Sequence, residues 1–229
     1  MCLGDMSMSE GEESKKIEKR REDEKQSEQL KIAPIEFYIA SGLHIGTRYK
    51  SKYMRRFISK TRVDGINMIS IKDIDERIKI AGKFLSYFEP PKILVVASRP
   101  YAIQPVKKFC ELVGAIPSIG RFLPGMLTNP QLPFYLEPDV VFVNDPVADS
   151  QAIEEASKVG IPVVALCDTE HDCGNIDLII PVNNKGKRAL ATVYWLLARQ
   201  ILRERGEIPP DGDLTIPIDD FETKLTEES

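Results

Sequence analysis

The chain has 229 residues, 42% hydrophobic and 29% charged, which suits one domain of ordinary size plus tails, or two very small ones. No apolar run approaches the roughly 20 residues that cross a bilayer, and the charged N-terminus is not a secretory signal, so a cytoplasmic protein without a membrane partner is expected. The formal charge of −4 does not exclude a nucleic-acid partner: residues 1–31 hold nine acidic against seven basic residues, residues 207–229 eight against one, but residues 32–206 hold 18 acidic against 23 basic, so the body is cationic between acidic tails.

In chain order, residues 1–31 have only Ile17 and Leu30 as large aliphatics after Ser9. Such a segment cannot offset its ordering entropy and reads as a charged, disordered tail. Phe57-Ile58 and the run Ile66–Ile71 flank Asp64-Gly65, which predicts a hairpin. Asp73 then precedes Ile74, Ile78, Ala81, Leu85 and Phe88; these steps of three and four predict an amphipathic helix with an Asp N-cap, stopped by Pro90-Pro91. Ile93 through Ala97 is a continuous apolar run, as in a strand buried on both faces. A helix from Tyr101, a short strand near Ala115–Ile119 and a buried strand at Val140–Val143 follow. Asp149-Ser150 opens a helix that Gly160 ends. Val163–Leu166 and Leu178–Ile180 read as strands, and Gly186–Arg205 as a helix with Leu190, Val193, Leu197 and Ile201 on one face. From Glu207, Pro209-Pro210 and Ile216-Pro217-Ile218 indicate an extended acidic tail over 207–229. About five strands alternating with helices, linked by right-handed crossovers, make residues 32–206 a three-layer, doubly wound α/β domain with a parallel sheet and an added hairpin.

Ligands of such folds sit at the carboxyl ends of the strands. There the sequence offers Ser98-Arg99-Pro100, Asn144-Asp145-Pro146 and Cys167-Asp168-Thr169. None is a Gly-rich dinucleotide loop or a P-loop, so no cofactor is expected. Arg99, beside a helix start, could hold a phosphate. Asp145 and Asp168 could act as a carboxylate pair, although Asp commonly caps a turn in such places. Cys167, His171 and Cys173 suggest zinc, but their spacing is not that of a structural zinc site, and a thiol ending a core strand fits simple burial. With Cys2 and Cys110 they read as reduced thiols. His44 has no nucleophile elbow to serve and reads as organising a turn. No catalytic and no metal-binding residue is expected.

The strongest chemical signal is residues 48–62. Arg48, Lys50, Lys52, Arg55, Arg56, Lys60 and Arg62 occur there without one acidic residue, and Tyr49, Tyr53 and Phe57 recur every fourth position. Cations so close repel unless a polyanion is near. They release counterions from RNA, and aromatic rings stack on unpaired bases. The rings could equally pack on the core. A second basic set, Lys185, Lys187, Arg188, Arg199, Arg203 and Arg205, surrounds the last helix, where the last three also complement its dipole.

A series of motifs in one order supports a family reading. They are Gly42-Leu43-His44-Ile45-Gly46-Thr47, Gly65-Ile66, Arg121 through Asn129 (Arg-Phe-Leu-Pro-Gly-Met-Leu-Thr-Asn), Asp145-Pro146, Glu155-Ala156, Gly160-Ile161-Pro162, Cys167-Asp168-Thr169, Ile180 through Gly186, and Trp195 through Arg199. Over residues 35–206 the chain resembles the ribosomal protein family numbered second in the small subunit, in its archaeal and eukaryotic branch, to which the laminin receptor precursor also belongs. Asp139 comes only ten positions after Asn129, too few for the long helical hairpin of the bacterial form. The resemblance implies a flavodoxin-like sheet without catalysis, in the small ribosomal subunit, with ribosomal RNA and neighbouring ribosomal proteins as partners and no small-molecule substrate. On this reading Arg48–Arg62 meet RNA phosphates, with Arg99, Arg121 and Lys185 as further contacts.

Overall fold

A computed structural model describes residues 32–210 and 212–223. The expected N-terminal tail, Cys2 and the end of the C-terminal tail lie outside them. The chain divides into two compact units, Met1–Pro34 and Ile35–Ser229, and every element below belongs to the second.

Helix α1 spans Ile35–Ser41, and strands β1 (Ile58–Thr61) and β2 (Asn67–Ile69) form an antiparallel hairpin. Helix α2 is Ile71–Ser86, followed by β3 (Ile93–Ala97), α3 (Ile103–Val113), β4 (Ile116–Ile119) and β5 (Val140–Val143). The chain continues through α4 (Ser150–Val159), β6 (Val163–Cys167), β7 (Leu178–Pro181) and α5 (Lys187–Glu204). The five-stranded sheet is parallel throughout, in the order β4-β3-β5-β6-β7. That is the flavodoxin-like order, whose switch point lies between β3 and β5. The expected fold, a five-strand parallel sheet plus a hairpin, is therefore the one observed.

Every residue of β3, β5 and β6 is buried, as continuous apolar runs demand when both faces are covered. The α3 crossover steps from β3 toward one edge and the α4 crossover from β5 toward the other. Right-handed connections in opposite directions put these helices on opposite faces. Helix α5 packs against α1, α2 and α3 on the α3 side. Phe109 of α3, Phe142 of β5 and Tyr194 of α5 meet there with ring centroids 5.5–6.0 Å apart, Phe109 standing edge-on to the other two, a geometry favourable to aromatic quadrupoles.

Three local expectations change. Helix α2 starts earlier than Asp73, at Ile71, because Ser70 is the cap: its backbone is extended and its hydroxyl accepts the Asp73 N–H at 3.5 Å, the usual division of labour at a helix start. The same residue ends β2 at Ile69 rather than Ile71. The third change concerns α5, which is buried on nearly its whole circumference, from Ala189 through Arg199, and not along one stripe. The reason lies partly in residues 207–210 and 212–223, which run back along it. The Trp195 indole donates to Ile216 O at 2.9 Å, the Arg203 guanidinium to Gly212 O at 2.6 Å, and Phe221 is fully buried. The Thr223 hydroxyl reaches Tyr101 O at 2.9 Å and Lys187 pairs with Glu222 at 3.4 Å, so this strap ends beside the start of α3.

Candidate nucleic-acid interface

The basic segment is a rigid ledge at the carboxyl end of the sheet. Gly46 lies so close to the chain after β6 that a Cβ there would sit 2.4 Å from Thr169 Cγ2 and 2.9 Å from Asn67 O. The Thr47 N–H donates to Thr169 Oγ1 at 2.9 Å and the Ser51 N–H to Thr169 O at 2.8 Å. Buried Asn67, on β2, turns its amide to the carbonyls of Thr47, Arg48 and Tyr49 at 2.8, 3.1 and 3.4 Å. Its carbonyl accepts the Thr61 hydroxyl at 2.8 Å. One amide thus fixes the loop and the hairpin together. Met54 and Phe57, on a 3-10 turn, anchor the segment in the core.

This scaffold leaves the cations outside. Arg48, Lys50, Lys52, Arg55, Arg56 and Lys60 are exposed, and none pairs with a carboxylate among the described residues. Arg62 faces Asp64 at 3.6 Å. The aromatic series divides: Phe57 is core, covered by the guanidinium groups of Arg56 and Arg77 at 4.6 and 5.3 Å, whereas Tyr49 and Tyr53 are 76% and 52% exposed. Two planar rings therefore stand among six unpaired cations, an arrangement that can neutralise phosphates and stack on bases.

The other predicted cations do not all join it. Lys185 is close, paired with Glu170 and 4.0 Å from Asp168. Arg121 is exposed, in the loop after β4, three strand steps from β6, about 14 Å at the usual strand spacing. Arg99 lies between, its guanidinium bonded to the carboxylate of fully buried Asp145. The second basic set serves the fold: buried Arg199 pairs with Asp213, Arg203 bonds the strap, and Arg205 donates to Val113 O at 2.8 Å and Phe88 O at 3.3 Å.

The switch-point crevice is filled by the chain itself. Arg99 holds Asp145, and the Ser98 hydroxyl donates to Asp149. Asp145 also accepts the Val147 N–H at 3.0 Å, the local turn expected of it. Asp168 likewise accepts the Thr169 N–H at 2.6 Å. Burial pushes the carboxyls of Asp149 and Asp168 up to about 6. His171 Nδ1 accepts the Asp168 N–H at 3.0 Å, and its Nε2 stands 3.4 Å from Asp145 Oδ1. Burial holds this imidazole below its ordinary pKa despite that carboxylate, so it is neutral with the proton on Nε2. Among the described residues no three His, Cys, Asp or Glu side chains are grouped to hold a metal ion. His44 Nδ1 lies 3.4 Å from Tyr38 O, a local contact.

The shared motifs prove to be joints. Asn183 Oδ1 accepts the N–H groups of Lys185 and Gly186 at the start of α5, and its amide reaches Gly42 O at 3.3 Å. The Asn184 amide ties Asn144 O and Leu166 O at 3.1 and 3.3 Å. The loop Arg121–Asn129 is gripped by Glu155 of α4, whose carboxylate accepts the N–H groups of Gly125 and Leu127 at 2.8 and 3.2 Å and the Thr128 hydroxyl at 3.4 Å. Burial works against this carboxylate, but the bonds from Gly125, Gln151, Leu127 and Thr128 outweigh it and lower its pKa. Asn67 did not stand out in the sequence, and Glu155 stood out only within the motif Glu155-Ala156, without a partner. A carboxylate on the apolar side of a helix is the signal that could have assigned it to the core.

Comparisons with known proteins place this geometry in context. A family model described as ribosomal protein S2 matches residues 134–204. The small ribosomal subunit protein uS2 of Saccharolobus solfataricus is 53% identical over 196 residues, covering 86% of this chain and 85% of that protein. The protein of the same name from Staphylothermus marinus is 55% identical over 194 residues, covering 85% and 88%. That from Pyrobaculum aerophilum is 51% identical over 198 residues, covering 86% and 95%.

Proposed function

The chain belongs to the ribosomal protein S2 family, and on that premise we propose that it is a structural constituent of the small ribosomal subunit, of archaeal type, whose ledge of cations over residues 48–62 binds ribosomal RNA. The observation that carries this reading is the pairing of rigidity with unspent charge. Asn67 and Thr169 hold the backbone of the ledge, while six cations on it have no carboxylate partner among the described residues. A fold with no use for a polyanion gains nothing from such repulsion.

The same reading assigns no catalysis. At the switch point, where doubly wound enzymes take their ligands, Arg99, Asp145, Ser98 and Asp149 bond one another. No helix among the described residues is long and apolar enough to cross a membrane. The exposed carboxylates of Asp219 and Asp220 on the strap suit contact with basic neighbouring ribosomal proteins.

Binding of the full chain to small-subunit ribosomal RNA, titrated with salt, tests the proposal. Neutralising about five phosphates gives a slope of log K against log salt near −4. Replacing Arg48, Lys52, Arg55 and Lys60 by Ala should bring that slope toward zero, by about one unit for each phosphate no longer neutralised. An unchanged slope in the fourfold variant would remove these residues from the interface.

A further inference from the structure

On the reading that the ledge binds RNA, we propose that it selects an unpaired segment over a duplex, Tyr49 and Tyr53 each stacking on one base while the cations beside them hold the phosphates. Neither ring serves the fold. Tyr49 is 76% and Tyr53 52% exposed. Among the described residues no aromatic ring pairs with either, no guanidinium covers either face, and neither hydroxyl has a hydrogen-bond partner. Phe57, next in the series, differs in each respect that matters: it is buried, and Arg56 and Arg77 cover its face.

The backbone that carries the two rings is fixed. The Tyr49 carbonyl accepts the Thr47 hydroxyl at 3.1 Å and the Asn67 amide at 3.4 Å. Tyr53 leads into the 3-10 turn Met54–Phe57, where the Met54 N–H donates to Ser51 Oγ at 3.2 Å and both Met54 and Phe57 are buried. A ligand that meets these rings therefore orders little more than two side-chain torsions of each, which keeps the entropic cost of contact low. Their Cα atoms, four residues apart, are separated by at most about 14 Å, so one short run of nucleotides can reach both.

The choice of an unpaired segment follows from what each form of RNA presents. In an A-form duplex every base has its faces covered by its neighbours in the stack, and the major-groove edges lie too deep for side chains. Such a duplex would engage the cations and leave the rings idle. An unpaired nucleotide offers a bare face and a phosphate together. The ledge alternates in the same way: exposed Arg48 and Lys50 flank Tyr49, and exposed Lys52 and Arg55 lie on either side of Tyr53. Cations that track a backbone, with rings between them on which successive bases stack, are the means by which single strands are held. Because every base has a π-face, that contact reads strandedness and not sequence.

The test titrates the full chain, by fluorescence anisotropy, into a labelled unstructured RNA of about twelve nucleotides, within the usual range of single-strand sites, and into an RNA duplex of the same length. Tyr49→Ala and Tyr53→Ala should each weaken single-strand binding about tenfold, the share of one stacked base, with the salt slope unchanged and duplex binding untouched. Tyr49→Phe and Tyr53→Phe keep the ring and should bind the single strand like the parent. Equal losses on both probes, no loss on the single strand, or a Phe variant as weak as the Ala variant would each overturn the proposal. The fourfold variant lacking Arg48, Lys52, Arg55 and Lys60 separates this outcome from the reading beneath it. Weakened binding to both probes keeps the ledge as the RNA surface whatever the rings do, whereas undiminished binding to both removes the ledge itself and the stacking with it.

Discussion

Two buried carboxylates of this chain have opposite effects on stability. Asp149 is 1% exposed, one of its oxygens accepts from Ser98, and the other has no partner among the described residues. Its folded pKa of about 6 exceeds the ordinary 3.8 because burial disfavours the charge. The native state therefore binds more protons than the unfolded one between about pH 4 and 6, and stability falls as pH rises through that window. Asp149→Asn keeps an acceptor for Ser98 without the charge. It should add about 2 kcal/mol at pH 7 and little at pH 4, as read by urea unfolding at both values. Glu155 is the converse. Its pKa is lowered by four donors, so its contribution is present above the ordinary value near 4.5 and is lost as pH falls through the lower, folded value. Glu155→Gln should cost about 2 kcal/mol at pH 7, and the difference from the parent should shrink on acidification. A constant difference across pH would mean that shape, and not charge, holds the Arg121–Asn129 loop. Gly46 supplies a third case at this scale. An Ala Cβ would strike both Thr169 and the Asn67 carbonyl. Gly46→Ala should cost about 1–3 kcal/mol by overpacking and weaken RNA binding through the displaced ledge, although no cation is altered.

Among the elements, legibility followed how local the cause was. The runs Ile93–Ala97, Val140–Val143 and Val163–Leu166 became β3, β5 and β6 because a strand covered on both faces needs apolar residues throughout. Gly160 ended α4 in a left-handed conformation, as expected. Helix α1 went unread. It is seven residues long, too short for a period to show, and its place depends on Tyr38 donating to Asp75 of α2 at 2.6 Å, 37 residues away. The cations of the ledge were visible in composition, but its clamp was not, since Thr47 and Thr169 are 122 positions apart. The prolines marked residues 207–229 as extended chain, yet Ile218–Asp220 form a 3-10 turn. The seat of the strap on α5 was not legible, because it depends on single anchors such as Phe221 and Trp195. Removing the strap's own buried ring should reveal its worth: Phe221→Ala should cost about 3–4 kcal/mol and make residues near Trp195 accessible, followed by a red shift of the indole fluorescence. No shift would mean the strap is held by its polar contacts alone.

Charge is unevenly divided along the chain, with a cationic body over residues 32–206 and an acidic segment over 207–229. Approach to RNA is governed by the field of all charges, contact by the few at the ledge. Asp219 and Asp220 lie on the surface beside Arg188 and Lys108. Neutralising both to Asn should raise the association rate with RNA about two- to fivefold at low salt, with the gain gone near 1 M, where the screening length is about 3 Å. A gain that survives high salt would point to a direct contact instead.

The strap carries one more consequence. It follows α5 in the chain and is therefore synthesised after it, yet it covers Trp195 and supplies the buried ring of Phe221. While the nascent polypeptide is emerging, the helix beneath stays bare, with greasy surface that chaperones or a sister chain could seize. Maturation of this protein is thus tied to the moment the strap clears the exit tunnel.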